Sequence, residues 1–214
     1  FMTCNKEIGD DVHRVFQQLT GMSKELKVKK LLHAPFTLRD RLLDMINREA
    51  ENALKGDPSR IIIKVNSLTE QRLVQSLYKA SQAGVKIDLI VRGICTLRPG
   101  IKGISSNIRV RSVIGRFLEH TRVYYFYNNR NPQVYLSSAD GMDRNLNNRI
   151  EVAFPLQDYK QTRRVKKELE YYLTDNTQSW ILQSDGSYQL SKPRKGEYRS
   201  AQRALLSELA DNTR

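Results

Sequence analysis

Hydrophobic positions in the first part of the chain recur at helical spacing. The stretch EIGDDVHRVFQQLTG predicts a helix that ends at Gly21, since its apolar residues recur at helical spacing: Ile8, Val12, Val15, Phe16 and Leu19. A basic connector, MSKELKVKKLLHAP, follows it. The longest helix is then predicted over FTLRDRLLDMINREAENALKGDPS, with Thr37 as its N-cap and Gly56 as its stop.

The next stretch changes from helical periodicity to continuous apolar runs. IIIKVN (61–66) and VKIDLIVRG (85–93) are rich in β-branched residues and predict buried strands. Between them, LTEQRLVQSLYKASQAG predicts a helix that ends at Gly84. A strand, a helix and a strand within about 30 residues are typical of a right-handed βαβ unit with a parallel strand pair.

Closely spaced strands dominate the second half. They are predicted at NIRVRSVI (107–114), RVYYFYN (122–128), PQVYLSSAD (132–140) and RIEVAFPL (149–156). A charged amphipathic helix, DYKQTRRVKKELEYYLTD, comes next. SWILQSDGSYQL then predicts a hairpin with Asp-Gly at its turn, and YRSAQRALLSELA a short helix. The fold class predicted from these patterns is α/β, with helices packed on both faces of a mixed sheet.

Charge adds a prediction about partners. The 214 residues include 36 Lys and Arg against 23 Asp and Glu, a formal net charge of +13. Such an excess favours an anionic partner, namely nucleic acid, a nucleotide, polyphosphate or a lipid surface, although solubility alone can also account for it. Cys4 and Cys95 have no metal-binding spacing, which favours a reduced, cytoplasmic protein. No apolar run is long enough to span a membrane.

One strand begins with polar groups that need an explanation. In FLEHTRVYYFY, strand alternation places His120 and Arg122 on one face with Tyr124 and Phe126. Either the front of that face is a solvated strand end, or an imidazole and a guanidinium are aimed together at an anion. A His-x-Arg pair by itself is more often structural than catalytic.

Two other stretches fall where strands of an open α/β sheet end, the usual place for ligands. Arg92-Gly93 closes a buried strand, where the glycine would let the backbone approach a ligand; a charged residue leaving the sheet for water is the plainer interpretation. The turn SSADGMDRN can form a phosphate cradle or simply an N-cap. Its polar residues are Ser137, Ser138, Asp140, Arg144 and Asn145.

Together these residue types suit phosphoryl transfer. An imidazole can hold or deliver a proton near neutral pH, and arginines supply fixed positive charge for the non-bridging oxygens. The sequence has no P-loop and no kinase-type glycine-rich loop, which argues against the common NTP-binding folds. It also has no carboxylates at metal-ligand spacing, so we expect no metal site of its own and any Mg²⁺ to arrive with a nucleotide.

The order His-x-Arg, strand, Ser-Ser-Ala-Asp-x-Met-x-Arg-Asn resembles a phospholipase D-type half-site, in which His-x-Lys precedes a strand and a Gly/Ser-Ser-x-Asn turn. The run IVRGICTLRPGIKGISSNIRVRSVIGRFLEHTR is similar to the last domain of the bacterial polyphosphate kinases. The similarity covers essentially the whole chain, which we expect to be a fragment of a longer protein. It implies a phospholipase D-like fold, with residues 1–31 ending the preceding catalytic domain and its basic connector, and residues 32–214 forming the C-terminal catalytic domain.

The resemblance also implies roles for individual residues. The family transfers the terminal phosphate of ATP reversibly to polyphosphate through a phosphohistidine, which lies in a His-x-Gly-Thr-Gly-Asn context that this sequence lacks. His120 matches the second, proton-donating histidine, and Arg92 matches the ATP-binding arginine. Phe16 stands near the position of an aromatic beside the nucleotide base. Arg122 and four residues of the turn match phosphate-binding positions: Ser137, Ser138, Arg144 and Asn145.

The same resemblance implies partners. They are ATP or ADP with Mg²⁺, polyphosphate and the remaining domains of the parent chain, in a homo-oligomer, with no membrane span and no specific nucleic acid. The fragment alone is expected to be inactive. Two alternatives stay open: a phospholipase D-like phosphodiesterase or nuclease subunit that dimerises to join two half-sites, and a non-catalytic module that binds polyanions through charge.

Overall fold

The computed structural model describes residues 2–21, 27–193 and 195–211, and in these ranges the chain forms one nine-stranded sheet and six helices. The strands are β1 (Leu32–Ala34), β2 (Arg60–Val65), β3 (Lys86–Val91), β4 (Ile108–Val113), β5 (Arg122–Phe126), β6 (Gln133–Ser137), β7 (Glu151–Pro155), β8 (Ser179–Leu182) and β9 (Tyr188–Leu190). The helices are α1 (Lys6–Leu19), α2 (Leu38–Leu54), α3 (Gln71–Gln82), α4 (Asp143–Asn147), α5 (Tyr159–Thr174) and α6 (Ala201–Asp211).

The sheet has the strand order β1-β7-β6-β5-β2-β3-β4-β8-β9. The β2–β3 and β3–β4 pairs are parallel and the other pairs are antiparallel, so the predicted βαβ unit, the mixed sheet and the final hairpin are confirmed. Because β5 runs antiparallel to β2 and β6 runs antiparallel to β5, five strand termini meet at one end of the sheet. We call this the upper end; it is marked by Val65, Val91, Arg122, Ser137 and Glu151.

Helices cover both faces of the sheet, as predicted. Alternation along β2 sends Ile61 and Ile63 into a core shared with α2 and α3, while Ile62 enters a second core shared with α5 and α6. The strand that begins after His120 is core, since Tyr124, Tyr125 and Phe126 are at most 1% exposed. Because helices cover both faces of the central strands, their sequences are nearly continuous apolar runs.

The predicted connector contains an unpredicted strand. Its residues 22–26 lie outside the described ranges, but residues 32–34 form β1 and pair with β7. The buried Asp11 carboxylate of α1 accepts backbone N–H bonds from Lys29, Lys30 and Leu31. Burial raises the pKa of Asp11, but these three bonds and the Arg14 guanidinium lower it by more. The net pKa of Asp11 is therefore below its ordinary value. The connector is therefore fastened to α1.

Thr37 stands at the N-cap position of α2 but makes no capping bond to the helix. Its hydroxyl instead accepts a hydrogen bond from the backbone N–H of His33, and the His33 ring is buried. The predicted N-cap was therefore right in position and wrong in its bonding. No helix in the described part of the chain combines the length and the apolar character needed to cross a bilayer.

Candidate functional site

Basic side chains from three strands converge at the upper end of the sheet. Lys64 lies near the end of β2, Arg92 directly follows β3, and Arg122 opens β5, with His120 two residues before it. The positive charges of Arg92 and Arg122 both act on the Lys64 ammonium, which places Lys64 in the field of the two guanidiniums. His120 is exposed to solvent. The structure thus brings His120, Arg92 and Arg122 to the end of the sheet that Ser137 also marks, and adds a lysine to them.

The Arg122 guanidinium is held in a fork by Asp140. Nε lies 3.1 Å from Oδ1 and Nη2 lies 3.0 Å from Oδ2. The same carboxylate accepts hydrogen bonds from the backbone N–H and the side-chain amide of Asn66. Burial raises the pKa of Asp140, but the bonds from Arg122 and Asn66 outweigh it, so the net pKa is lowered. Asp140 therefore orients Arg122 instead of facing a ligand.

His120 contacts the one nitrogen of Arg122 that Asp140 leaves uncovered. Nη1 of Arg122 lies 2.9 Å from His120 Nδ1 and donates to the His120 carbonyl, also at 2.9 Å. A guanidinium has no acceptor atom, so a ring nitrogen accepts in this contact. Nη1 also lies 3.3 Å from His120 Nε2, so the contact does not decide which ring nitrogen carries the proton. The arrangement presents an exposed imidazole beside a fixed positive charge.

Lys64 is a site residue that the sequence reasoning missed. Its side chain is buried, and Nζ lies 3.1 Å from the Glu119 carboxylate and 3.2 Å from the Thr121 carbonyl. Nζ also lies 4.8 Å from the centre of the Tyr172 ring. Burial lowers the pKa of Lys64, Arg92 and Arg122 lower it further, and Glu119 opposes them. Lys64 binds the residues on both sides of His120 and fixes that part of the backbone.

The 114–121 segment, which carries His120, is also fixed from the opposite side by α6. Gln202 accepts a hydrogen bond from Phe117 N–H and donates to the Phe117 carbonyl and to Glu119. Gly115 lies so close to this amide that a Cβ there would stand 2.4 Å from Gln202 Oε1. A side chain at Gly115 would push this amide aside, and the segment is held by two anchors, Lys64 and Gln202.

Arg92 differs from Arg122 because nothing in the described part of the chain pairs with its guanidinium. Its Nη1 is buried and has no hydrogen-bond partner there. The described residues contain six such buried side-chain atoms, and three more of them also lie at this end of the sheet: Asn66 Oδ1, Asn145 Oδ1 and Ser179 Oγ. Unsatisfied buried polar groups are rare in folded proteins and require an explanation, such as an absent ligand.

The structure gives a different reason for a glycine at position 93 from the one that was predicted. A Cβ at this position would meet the backbone carbonyl oxygen of Asn66 at 2.9 Å, and the Gly93 N–H donates to that same oxygen. The glycine therefore permits close packing of the two strand ends. The expectation that it admits a ligand to the backbone is not supported by this geometry.

The polar side chains of the 137–145 turn bind mainly to the first residues of β7. Ser137 donates to the Val152 carbonyl, and Ser138 donates to the Glu151 carboxylate. Asn145 donates to the other Glu151 oxygen at 2.6 Å. Arg144 is exposed and has no ion pair with a described residue. Glu151, which the sequence analysis did not single out, thus binds the side chains of Ser138 and Asn145. Both residues were predicted to bind phosphate.

Phe16 lies apart from these residues. It is 61% exposed on α1, whose buried residues Ile8 and Val15 pack with Val152 and Phe154 of β7. The strands β6 and β5 separate β7 from β2. No contact among the residues that the structure describes brings Phe16 to Arg92 or His120, and its assignment beside a nucleotide base remains a prediction.

Sequence signals for the missed residues were present but weak. Lys64 interrupts the apolar run IIIKVN of a strand buried on both faces, and a buried lysine is rare unless it is paired. Nothing in the sequence connects it to Glu119, 55 positions later, since that contact depends on the β2–β5 pairing. Among the described residues, no group of three or more His, Cys, Asp or Glu side chains is placed to hold a metal ion.

Comparisons with known proteins agree on a family. The family described as "Polyphosphate kinase C-terminal domain 2" matches residues 31–202. The chain is 58% identical to the polyphosphate kinase of Pseudomonas aeruginosa over 210 residues, which are 98% of this chain and 30% of that protein. The crystal structure of the polyphosphate kinase from Porphyromonas gingivalis superposes with a TM-score of 0.94 at 37% identity, covering 99% of this chain and 32% of the other.

A more distant likeness concerns the fold alone. A phospholipase D family member, Nuc, from Salmonella typhimurium matches with a TM-score of 0.53 at 15% identity, over 72% of this chain and 97% of that one. The predicted phospholipase D-like architecture is thereby confirmed. The chain spans about a third of the length of the polyphosphate kinases that it matches.

Proposed function

Because this chain belongs to the polyphosphate kinase C-terminal domain family, we propose that its upper end is one half of a site that transfers the terminal phosphate of ATP reversibly to polyphosphate. The observation that carries this proposal is the buried Nη1 of Arg92, which has no hydrogen-bond partner among the described residues and lies near two further cations. A phosphate oxygen is an acceptor that would satisfy such a nitrogen with a charge-assisted bond.

Each residue at the upper end then has a distinct task. Arg92 binds the ATP phosphates, and the exposed imidazole of His120 delivers a proton to the departing ADP. Arg122, fixed by Asp140, keeps positive charge beside that imidazole. Lys64 contributes charge and holds the backbone around His120. Arg144 and the hydroxyls of the 137–145 turn assist with phosphate binding.

The remainder of the site lies in the other domains of the parent chain. They supply the histidine that becomes phosphorylated, and Mg²⁺ enters as the companion of ATP. The parent enzyme works as a homo-oligomer in the cytoplasm, where ATP is available. This chain alone is therefore inactive.

The 214-residue chain provides a direct test of the half-site. We expect it to fold and to bind ATP weakly, but to acquire no acid-labile phosphate from ATP labelled on its terminal phosphate, since its nucleophile is absent. The matched control is the complete parent protein, which takes up the label. Stable acid-labile labelling of the isolated chain, or its hydrolysis of a chromogenic phosphodiester, would contradict the proposal.

A further inference from the structure

A basic cavity lies at the opposite, lower end of the sheet. It has a volume of about 350 Å³ and is formed where β5 turns into β6 and where α5 begins. We call it the lower cleft. Its charged lining consists of Arg130, Arg163, Lys166, Lys167 and Glu170.

Most of the positive charge in the lower cleft is uncompensated. Glu170 is paired with Arg60 at 2.8 Å, and Lys167 is paired with Glu208 at 2.7 Å. Arg130, Arg163 and Lys166 have no ion pair among the described residues. Three cations that share a cavity repel one another, and an anion that enters it removes that repulsion.

The backbone that presents Arg130 is strained. Asn128, Asn129 and Arg130 have φ angles of 47°, 46° and 70°, a left-handed run of three residues without glycine. Asparagine tolerates this conformation, but an arginine there costs about 1 kcal/mol or more. The run is held by Glu49, which accepts a hydrogen bond from the Asn128 N–H. The fold thus keeps Arg130 at the cleft despite an unfavourable backbone conformation.

Helix α5 connects the lower cleft with the upper end. It begins at Tyr159 beside the cleft, and the Tyr172 ring near its other end contacts Lys64. From Arg122 to Tyr127, the residue after β5, the distance is about 16 Å, at about 3.3 Å per residue. This face of β5 is core and is covered by α5, so a polyanion that reaches both ends must pass over the outside of the helix, a path too long for three phosphates.

We propose that the lower cleft is an auxiliary site for linear polyphosphate, which holds a distant part of the chain while its end reacts at the upper end. This inference rests on the proposed function for the identity of the polyanion. Phosphate suits the cleft because its unpaired groups are cations, and the Arg163 guanidinium stands 5.8 Å from the centre of the Tyr159 ring, between that ring and an entering base. Tyr127 and Tyr159 remain accessible there, so a single-stranded RNA probe is needed to test for base stacking.

The test is equilibrium binding to the complete parent protein without ATP, with long polyphosphate, tripolyphosphate and single-stranded RNA as probes. The triple variant R130Q/R163Q/K166Q should bind long polyphosphate about tenfold more weakly and with a shallower salt dependence, while tripolyphosphate binding stays unchanged. The matched control R72Q/K79Q/K102Q removes the same charge from exposed positions outside the cleft and should bind as the unaltered protein does. R130N, which suits the left-handed backbone, should show a smaller loss in the same direction and guards against misfolding of the triple variant.

Equal losses in the triple variant and its control would overturn the inference, because general charge would then explain binding. Unchanged polyphosphate affinity in the triple variant would also overturn it, and a loss confined to RNA would assign the cleft to nucleic acid instead. Since these measurements require no chemistry, they remain decisive even if replacement of His120 leaves synthesis intact and the proposed function fails.

Discussion

Lys64 and Glu119 form a buried ion pair, with 3.1 Å between Nζ and Oε2, directly beside the candidate proton donor. The ammonium also binds the Thr121 carbonyl, so that it contacts the residues on both sides of His120. Its side chain is 4% exposed and that of Glu119 is 11% exposed. A strand residue thereby fixes the loop that follows a different strand, β4.

The Lys64–Glu119 pair predicts a loss of turnover when it is broken. In the complete protein, Lys64→Met should lower kcat about a hundredfold and leave the KM for ATP nearly unchanged, because a displaced imidazole is misaligned even when ATP is bound. The variant should also lose about 3 kcal/mol of unfolding free energy, since Glu119 remains buried without its cation.

The double variant K64M/E119Q separates these two effects. It should recover most of the stability, because no unpaired charge remains, but it should not recover turnover. Steady-state kinetics and chemical denaturation measure both quantities. Full turnover in K64M would show that the position of His120 does not depend on Lys64.

The Asp140–Arg122 fork predicts a pH-dependent contribution to stability. Burial raises the pKa of Asp140, but the bonds from Arg122 and Asn66 lower it below the ordinary 3.8. A lowered carboxyl pKa contributes stability that is fully present above 3.8 and is lost as the pH falls through the lower folded value. Asp140→Asn should therefore cost about 3 kcal/mol near neutral pH. Its deficit against the unaltered chain should shrink at about pH 3.

Denaturant unfolding of both chains at the two pH values measures this difference. A deficit that is the same at both would show that the Asp140 carboxylate is not stabilised by ionisation. Arg122→Met should give a similar neutral-pH loss, because it leaves the same carboxylate without its partner.

Replacement of Arg92 should have the opposite effect, because its guanidinium pairs with no residue in the described ranges. In the isolated chain, Arg92→Met should leave the free energy of unfolding unchanged or raise it, as it removes a buried cation close to Lys64. In the complete protein the same change should lower ATP-dependent synthesis by about a hundredfold or more. A large loss of stability in R92M would indicate a structural role instead of a phosphate-binding one.

Replacement of Gly115 by alanine should impair function with little change in stability. In Gly115→Ala the new methyl would displace the Gln202 amide from Phe117 and Glu119, which loosens the 114–121 segment. We expect kcat of the complete protein to fall while the unfolding free energy changes by less than about 1 kcal/mol. Gly9→Ala is the matched control: a Cβ there meets nothing within 4 Å, and alanine should stabilise α1 by up to about 1 kcal/mol. Turnover in G115A equal to that of G9A would rule out this role for Gln202.

Local pattern sufficed for much of the fold and for part of the site. The runs at 61–66 and 85–93 identified the parallel pair, and the Asp-Gly turn identified the final hairpin, because strands buried on both faces and tight turns leave compositional signals. His120, Arg122 and Arg92 are candidates that their places at strand ends predict, and the structure brings them to one end of the sheet. The sequence does not show which guanidinium has a carboxylate partner, because Arg122 and Arg92 both stand at strand ends and the partner Asp140 is brought in by the fold.

The remaining features depend on contacts between distant positions. Glu151 binds Ser138 and Asn145 only because β7 returns beside β6, and β1 forms because residues 32–34 meet β7. Thr37 was assigned as a helix cap by its residue type, but His33 competes for its hydroxyl. Such partners are chosen by the assembled sheet and leave no local signal.

The central claim, that His120 serves phosphotransfer, is tested most directly by the initial rate of polyphosphate synthesis from labelled ATP in the complete protein. His120→Ala should abolish ATP-dependent chain growth while the protein remains folded, and His13→Ala, which alters an exposed histidine on α1, should grow chains at the unaltered rate. Synthesis in H120A at a rate close to that of H13A would contradict the account.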